Sequence, residues 1–239
     1  MEINKIYLGD CYELIKHIPE KSVDLIYTDI PYLFNNIGDK TNHSGLSKRI
    51  GKTMHELKDI VNGIDWVILD DFVRVMKRIN CFIWCSKEQI FYLMGYFKNL
   101  GCNFEILTWN KSNPTPMTNN TFLPDIEYCL YFREPGVSLN NGYDLKSKWY
   151  QSPINKRDKD TFTHPTIKPL ELVKRHISHT TQKNDLVLDC FIGSGTTAIA
   201  SKELGRNYIG IEIDPKWHKV ATDRLNNVDA HGQISFIAR

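Results

Sequence analysis

Two short stretches of this sequence carry residue types that do chemistry at fixed spacing. The first is Asp29-Ile30-Pro31-Tyr32. The Asp29 carboxylate and the Ile30 carbonyl both accept hydrogen bonds from an amine, and the Tyr32 ring stacks on a planar group. Together they suit the exocyclic amine of a nucleobase. The second stretch is Asp189-Cys190-Phe191-Ile192-Gly193-Ser194-Gly195, which follows an apolar run and opens a small-residue segment. Its glycines allow a tight turn and let backbone N–H groups approach a ligand that a Cβ would hold away. Glu212 lies 19 positions after Gly193 (212 − 193). An acidic residue at about 20 positions beyond a glycine loop suits the diol of a ribose.

The elements that must position these residues follow from hydrophobic periodicity. Strands are expected at Ile6–Leu8, Val23–Thr28, Cys81–Cys85, Phe104–Trp109, Tyr128–Phe132, Leu186–Leu188 and Asn207–Ile213, with an edge strand in the tail, Gln233–Ala238. Helices are expected at Tyr12–Ile18, Ile64–Ile79, Lys87–Leu100, Leu170–His179, Thr196–Leu204 and Pro215–Asn226, with a short one near Met54–Val61. Ile64, Ile68, Phe72, Val75 and Ile79 form the stripe of the second of these. Strands alternating with helices indicate a mostly parallel α/β sheet with helices on both faces. Both reactive stretches then leave the carboxyl ends of strands, where doubly wound sheets bind ligands. If the strands ending at Thr28 and Leu188 are neighbours, the two stretches face one cleft.

Composition sets bounds. At 239 residues, 41% hydrophobic and 24% charged, the chain is expected to be one soluble domain spanning 1–239. A net charge of +2 permits a nucleic-acid partner without arguing for one. No apolar run reaches the ~20 residues of a membrane helix, and the start lacks a signal-peptide core, so no membrane association and a cytoplasmic location are expected. The six cysteines, at 11, 81, 85, 102, 129 and 190, form no Cys-x-x-Cys and read as reduced core thiols. No metal site is expected; His176 and His179 read as surface or packing residues. Residues 33–63 and 133–163 are polar loops carrying Lys48, Arg49, Lys52, Lys146, Lys148, Lys156 and Arg157. With a nucleic-acid partner they are expected to flank the cleft and meet its phosphates, the first as a mobile loop.

Asp29-Ile30-Pro31-Tyr32 resembles the Asp-Pro-Pro-Tyr motif of amino-group DNA methyltransferases, and Phe191-Ile192-Gly193-Ser194-Gly195 resembles their Phe-x-Gly-x-Gly cofactor loop. His164-Pro165-Thr166-Ile167-Lys168-Pro169 is similar to the His-Pro-Thr-x-Lys-Pro segment ahead of that loop. Gly9-Asp10-Cys11 and Trp109-Asn110-Lys111 also have counterparts, so the resemblance spans nearly the whole chain. The tetrapeptide precedes the loop, the circularly permuted order of the beta class. The resemblance implies a Rossmann-like, doubly wound, seven-stranded sheet with a short target-recognition insertion at 133–163. It implies S-adenosylmethionine as cofactor, with Phe191, Gly193, Ser194 and Gly195 around its amino-acid end beside Asp189. Glu212 would take the ribose hydroxyls, Asp10 and Cys11 the adenine pocket, and Thr166 and Lys168 the methionine carboxylate. Asp29, Ile30, Pro31 and Tyr32 would hold a base flipped from double-stranded DNA, with Asn110, Lys111 and Asn113 lining its pocket or touching phosphate. The family also allows a homodimer and a restriction-modification role in a bacterial, archaeal or phage setting. Aspartate at position 29 favours adenine N6 over cytosine N4. Ile30, where the family has proline, is expected to give a less rigid acceptor, and it is the one feature favouring an inactive cofactor-binding module that binds DNA.

Overall fold

The computed structural model describes residues 1–33, 63–114, 116, 122–140, 142, 146–154 and 167–226. The expected helix near 54–61 and tail strand at 233–238 lie outside them, as do Thr166 and most of the 33–63 loop. Among the described residues eight strands form one sheet: β1 (Lys5–Leu8), β2 (Leu25–Asp29), β3 (Asn80–Cys85), β4 (Asn103–Lys111), β5 (Ile126–Arg133), β6 (Trp149–Ser152), β7 (Leu186–Asp189) and β8 (Asn207–Glu212). Their order is β1-β8-β7-β2-β3-β5-β4-β6. Pairing is parallel except where β5 runs against β3 and β4. The expectation of seven strands is therefore corrected to eight. The added one, β6, lies within 133–163 and joins the open edge, pairing Thr108 with Trp149 in parallel register. Four residues long, half exposed and ending in Gln151-Ser152, it lacks the apolar run that marks the equally short β1 and β7.

Among the described residues six helices cover the sheet: α1 (Cys11–Leu14), α2 (Ile68–Val75), α3 (Ile90–Asn99), α4 (Leu170–Thr180), α5 (Thr196–Glu203) and α6 (Pro215–Asn226). Strand alternation divides the core. Ile26 packs with Phe72 of α2 and Phe97 of α3. Leu25 and Tyr27 face the other way, toward Leu172, Val173 and Ile177 of α4. A third cluster joins Ala198 and Ile199 of α5 to Ala221 and Leu225 of α6 over Ile6 and Tyr208. All six cysteines are free and buried. His176 and His179 are both packing residues, each nearly inaccessible to solvent. The His176 ring lies 4.9 Å from that of Phe82, and burial pushes its pKa down to about 3. No helix among the described residues is long and apolar enough to cross a membrane.

The stripe from Ile64 to Ile79 overreads its helix. The chain leaves helical geometry at Met76, where Met76 bridges Val23 and the Lys77 N–H donates to the Val23 carbonyl at 2.8 Å. Backbone pairing there outcompetes another helical turn, while Met76 and Ile79 stay buried.

Candidate active site

The switch point of the sheet lies between β7 and β2. From β7 the chain moves to β8 on one side; from β2 it moves to β3 on the other. The two strands pair directly, Leu25 with Val187 and Ile26 with Leu188. The strand ends carrying Asp29 and Asp189 are thus adjacent. Thr28 Oγ1 donates to Asp189 Oδ1 at 2.8 Å across the join. Burial, above all, raises the Asp189 pKa to about 7.

On the β7 side, main chain builds the site. Gly193 and Gly195 take φ of 51° and 84°, a region that disfavours a side chain. A Cβ on Gly195 would also stand 3.1 Å from the Ala221 Cα, so the loop can press against α6 only as glycine. Glu212, ending β8, accepts from the Gly193 N–H at 2.8 Å and the Asp214 N–H at 2.9 Å. Each of its oxygens keeps a lone pair for an outside donor, such as a ribose hydroxyl. β1 pairs Leu8 with Glu212, which brings the following Gly9-Asp10-Cys11 to the same edge. Asp10 caps α1, accepting from the Tyr12 N–H at 2.9 Å, and Cys11 is buried behind it. This rim of glycine backbone, carboxylate and turn fits an adenosine with an amino-acid arm.

On the β2 side, charged side chains build the site. Lys168 Nζ lies 2.5 Å from Asp29 Oδ2 and 2.9 Å from Glu127 Oε2, with the Tyr32 hydroxyl at 3.3 Å. It sits 5.0 Å from the centre of the Trp84 ring, a favourable place for a cation. Lys111 closes the group, 2.8 Å from Glu127 Oε1. Burial alone would lift the Glu127 carboxyl, but Lys168 and Lys111 together hold it down at about 2. Asp29 shares a single cation, and burial outweighs that cation, so its pKa stays raised. Burial opposes the Lys168 charge too, yet the two carboxylates win and hold its pKa above the usual lysine range. Asp29 Oδ1 is shielded from solvent and has no hydrogen-bond partner among the described residues.

The family model for N6 and N4 enzymes, described as DNA methylase, matches residues 23–223. The chain belongs to this family. It is 32% identical to the Type II methyltransferase M2.LlaDCHI of Lactococcus lactis subsp. cremoris, over 94% of this chain and 90% of that one. It is 31% identical to the Type II methyltransferase M2.MboI of Moraxella bovis, over 93% and 88%. Among solved structures, the M1.HpyAVI–SAM complex superposes with a TM-score of 0.66 at 27% identity, over 92% of this chain and 99% of that one. The PvuII cytosine-N4-specific DNA methyltransferase shares the fold, with a TM-score of 0.70 at 18% identity, covering 95% and 86%. The chain is an S-adenosylmethionine-dependent DNA methyltransferase.

The structure gathers this methylase's expected residues into two groups on one edge: Asp10, Cys11, Asp189, Phe191, Gly193, Ser194, Gly195 and Glu212 in one, Asp29 to Tyr32 in the other. Two placements add to what the resemblance implies. Lys168, set by the resemblance on the cofactor's carboxylate, has its ammonium beside Asp29, because a buried cation requires counter-charge and two carboxylates meet there. Ile30, expected to loosen its segment, is anchored: its N–H donates to the Trp84 carbonyl at 3.2 Å, a bond proline cannot make, and its side chain is buried in the core. Glu127 and Gln89 were not foreseen. Gln89, wholly buried, donates to the Pro31 carbonyl at 2.9 Å and accepts from the Ser86 N–H at 2.9 Å, fixing the tetrapeptide from behind. Glu127 interrupts the apolar run of β5, which is the sequence signal that could have found it.

Proposed function

We propose that this methylase transfers a methyl group to the exocyclic N6 of an adenine swung out of double-stranded DNA at a specific site. Asp29 Oδ1 carries the reading. An acceptor shielded from water without a donor is costly, and a site that keeps one beside the cofactor rim is built for an incoming N–H. An exocyclic amine is such a donor. Bound S-adenosylmethionine supplies an electrophilic methyl, held by the Phe191–Gly195 backbone, Glu212, Asp10 and Cys11. Asp29 and the Ile30 carbonyl accept the amine's two hydrogens, aim its nitrogen, and stabilise the positive charge that grows on it. The nitrogen then releases one proton to solvent. Tyr32, held by Lys168 and by Glu127 Oε2 at 3.5 Å, offers its ring to the base and offsets part of the cost of flipping it.

The choice of adenine rests on aspartate at position 29, as the resemblance implies. Lys48, Arg49, Lys52, Lys146, Lys148, Lys156 and Arg157 would meet phosphates, and residues 133–163, tied to the sheet through β6, would read the target. This reading places the enzyme with chromosomal DNA in the cytoplasm. Methylated DNA digested to nucleosides and examined by mass spectrometry is expected to yield N6-methyladenine. N4-methylcytosine in its place would overturn the choice of base.

A further inference from the structure

Four charged groups from four separate parts of the chain meet beneath the tetrapeptide: Asp29 at the end of β2, Lys111 at the end of β4, Glu127 in β5, and Lys168 ahead of α4. Two are anions and two are cations, so the cluster is neutral as a whole. Division of charge within it is uneven. Glu127 holds a lysine on each oxygen, Lys168 at 2.9 Å and Lys111 at 2.8 Å. Asp29 holds one lysine on Oδ2, has the Tyr32 hydroxyl beside it, and among the described residues has no hydrogen bond on Oδ1. The Lys168 side chain is only 7% exposed, so its charge must be answered by its protein neighbours.

We propose that Glu127 is a positioning residue for methyl transfer: it draws the Lys168 ammonium partly away from Asp29, leaving Asp29 one free oxygen and enough uncompensated negative charge for the target amine. This rests on the reading of Asp29 as the acceptor of that amine. Without the Glu127 charge, Lys168 would answer Asp29 alone. The pocket would then carry a net positive charge as positive charge grows on the nitrogen, which raises the barrier. The titratable groups facing Lys168 are Asp29, Tyr32, Glu127 and the thiols of Cys85 and Cys129. Of these, only Asp29 would remain as a counter-ion.

The test compares Asp29→Ala, Glu127→Gln, Lys168→Met and the double variant Glu127→Gln/Lys168→Met. The readouts are single-turnover methylation of DNA at saturating cofactor from about pH 6.5 to 9.5, cofactor affinity, and thermal unfolding. Glutamine keeps an acceptor for Lys111, removes the charge, and puts an amide N–H2 where Lys168 and Tyr32 met Oε2. Glu127→Gln is expected to slow the single turnover on the order of 10- to 100-fold, less than loss of a direct contact. Its cofactor affinity should stay within about threefold of the wild type, as befits a group outside the cofactor rim. Its rate should climb with alkaline pH as Lys168, left with one carboxylate against its burial, gives up its proton; the wild type should stay flat there. In the Lys168→Met background, removing the Glu127 charge should cost little further. A folded Glu127→Gln enzyme at wild-type rate, or a loss that ignores pH and adds to that of Lys168→Met, would overturn the proposal. If Glu127→Gln alone fails to fold, the double variant against Lys168→Met decides by the same additivity. Asp29→Ala at wild-type rate would overturn both the acceptor and the role of Glu127. An inactive Asp29→Ala beside a fully active Glu127→Gln would overturn the second alone.

Discussion

The two halves of the active site are built from different materials. Around Gly193 and Glu212, neighbours in sequence turn main-chain groups toward a ligand, and the one carboxylate is satisfied by two backbone N–H groups. Around Asp29, side chains from Lys111, Glu127 and Lys168 assemble a charge cluster that leaves an oxygen unpaired. The first arrangement holds its shape without a ligand. The second stores an unmet demand and has charge to redistribute as a reaction proceeds. A site that binds and a site that reacts thus call for different chemistry, even on adjacent strands.

That contrast predicts which quantity each substitution moves. Asp29→Ala should have the largest effect, lowering the methylation rate by about 10³-fold or more while cofactor affinity changes less than about threefold. Rapid-quench turnover and calorimetry check it; a comparable loss in cofactor affinity would merge the two halves. Glu212→Ala should do the reverse. It removes the ribose partner and strands the Gly193 and Asp214 N–H groups, so cofactor binding should weaken by about 2 kcal/mol. Calorimetry on the folded variant reads that change, and unchanged affinity would remove Glu212 from the rim. Asp189, on the seam, should move stability, with the smallest effect on rate and binding. Its folded pKa is raised to about 7, so its contribution to stability is complete below the ordinary carboxylate pKa and is lost as pH rises through about 7. Asp189→Asn has no proton to lose. Its melting temperature should gain steadily on that of the wild type between about pH 4 and 7. Parallel curves across that range would show that the carboxyl stays ionised.

The same contrast explains what the sequence disclosed. The glycine loop and Glu212 stand within one strand-helix-strand unit, so spacing alone exposed them, and the strand ahead of Asp29 was equally plain. Nothing local joins Glu127 to Asp29 or Lys168, because their meeting depends on β5 running antiparallel beside β3. Lys168 carried a role through its motif, yet where its ammonium lies is decided by which carboxylates are buried within reach. β6 was missed for a related reason: without an apolar run of its own, Trp149-Tyr150-Gln151-Ser152 reveals a strand only through the neighbour it joins, and that neighbour is β4. Ile30 shows the opposite error, in which departure from a motif suggested looseness that a backbone bond to Trp84 removes.

The pairing of β1 bears on how the enzyme comes to exist. β1 is made before the other described strands, and its partner among them is β8, which leaves the ribosome roughly 200 residues later. A contact so distant along the chain is slow to close and cannot form on a half-made protein. β2, β3, β4 and β5 can already assemble by then, so the reactive half precedes the binding half in the growing chain. The nascent protein therefore carries its acceptor before it has a finished cradle for the methyl donor, and it becomes able to modify DNA only once β8 has been made.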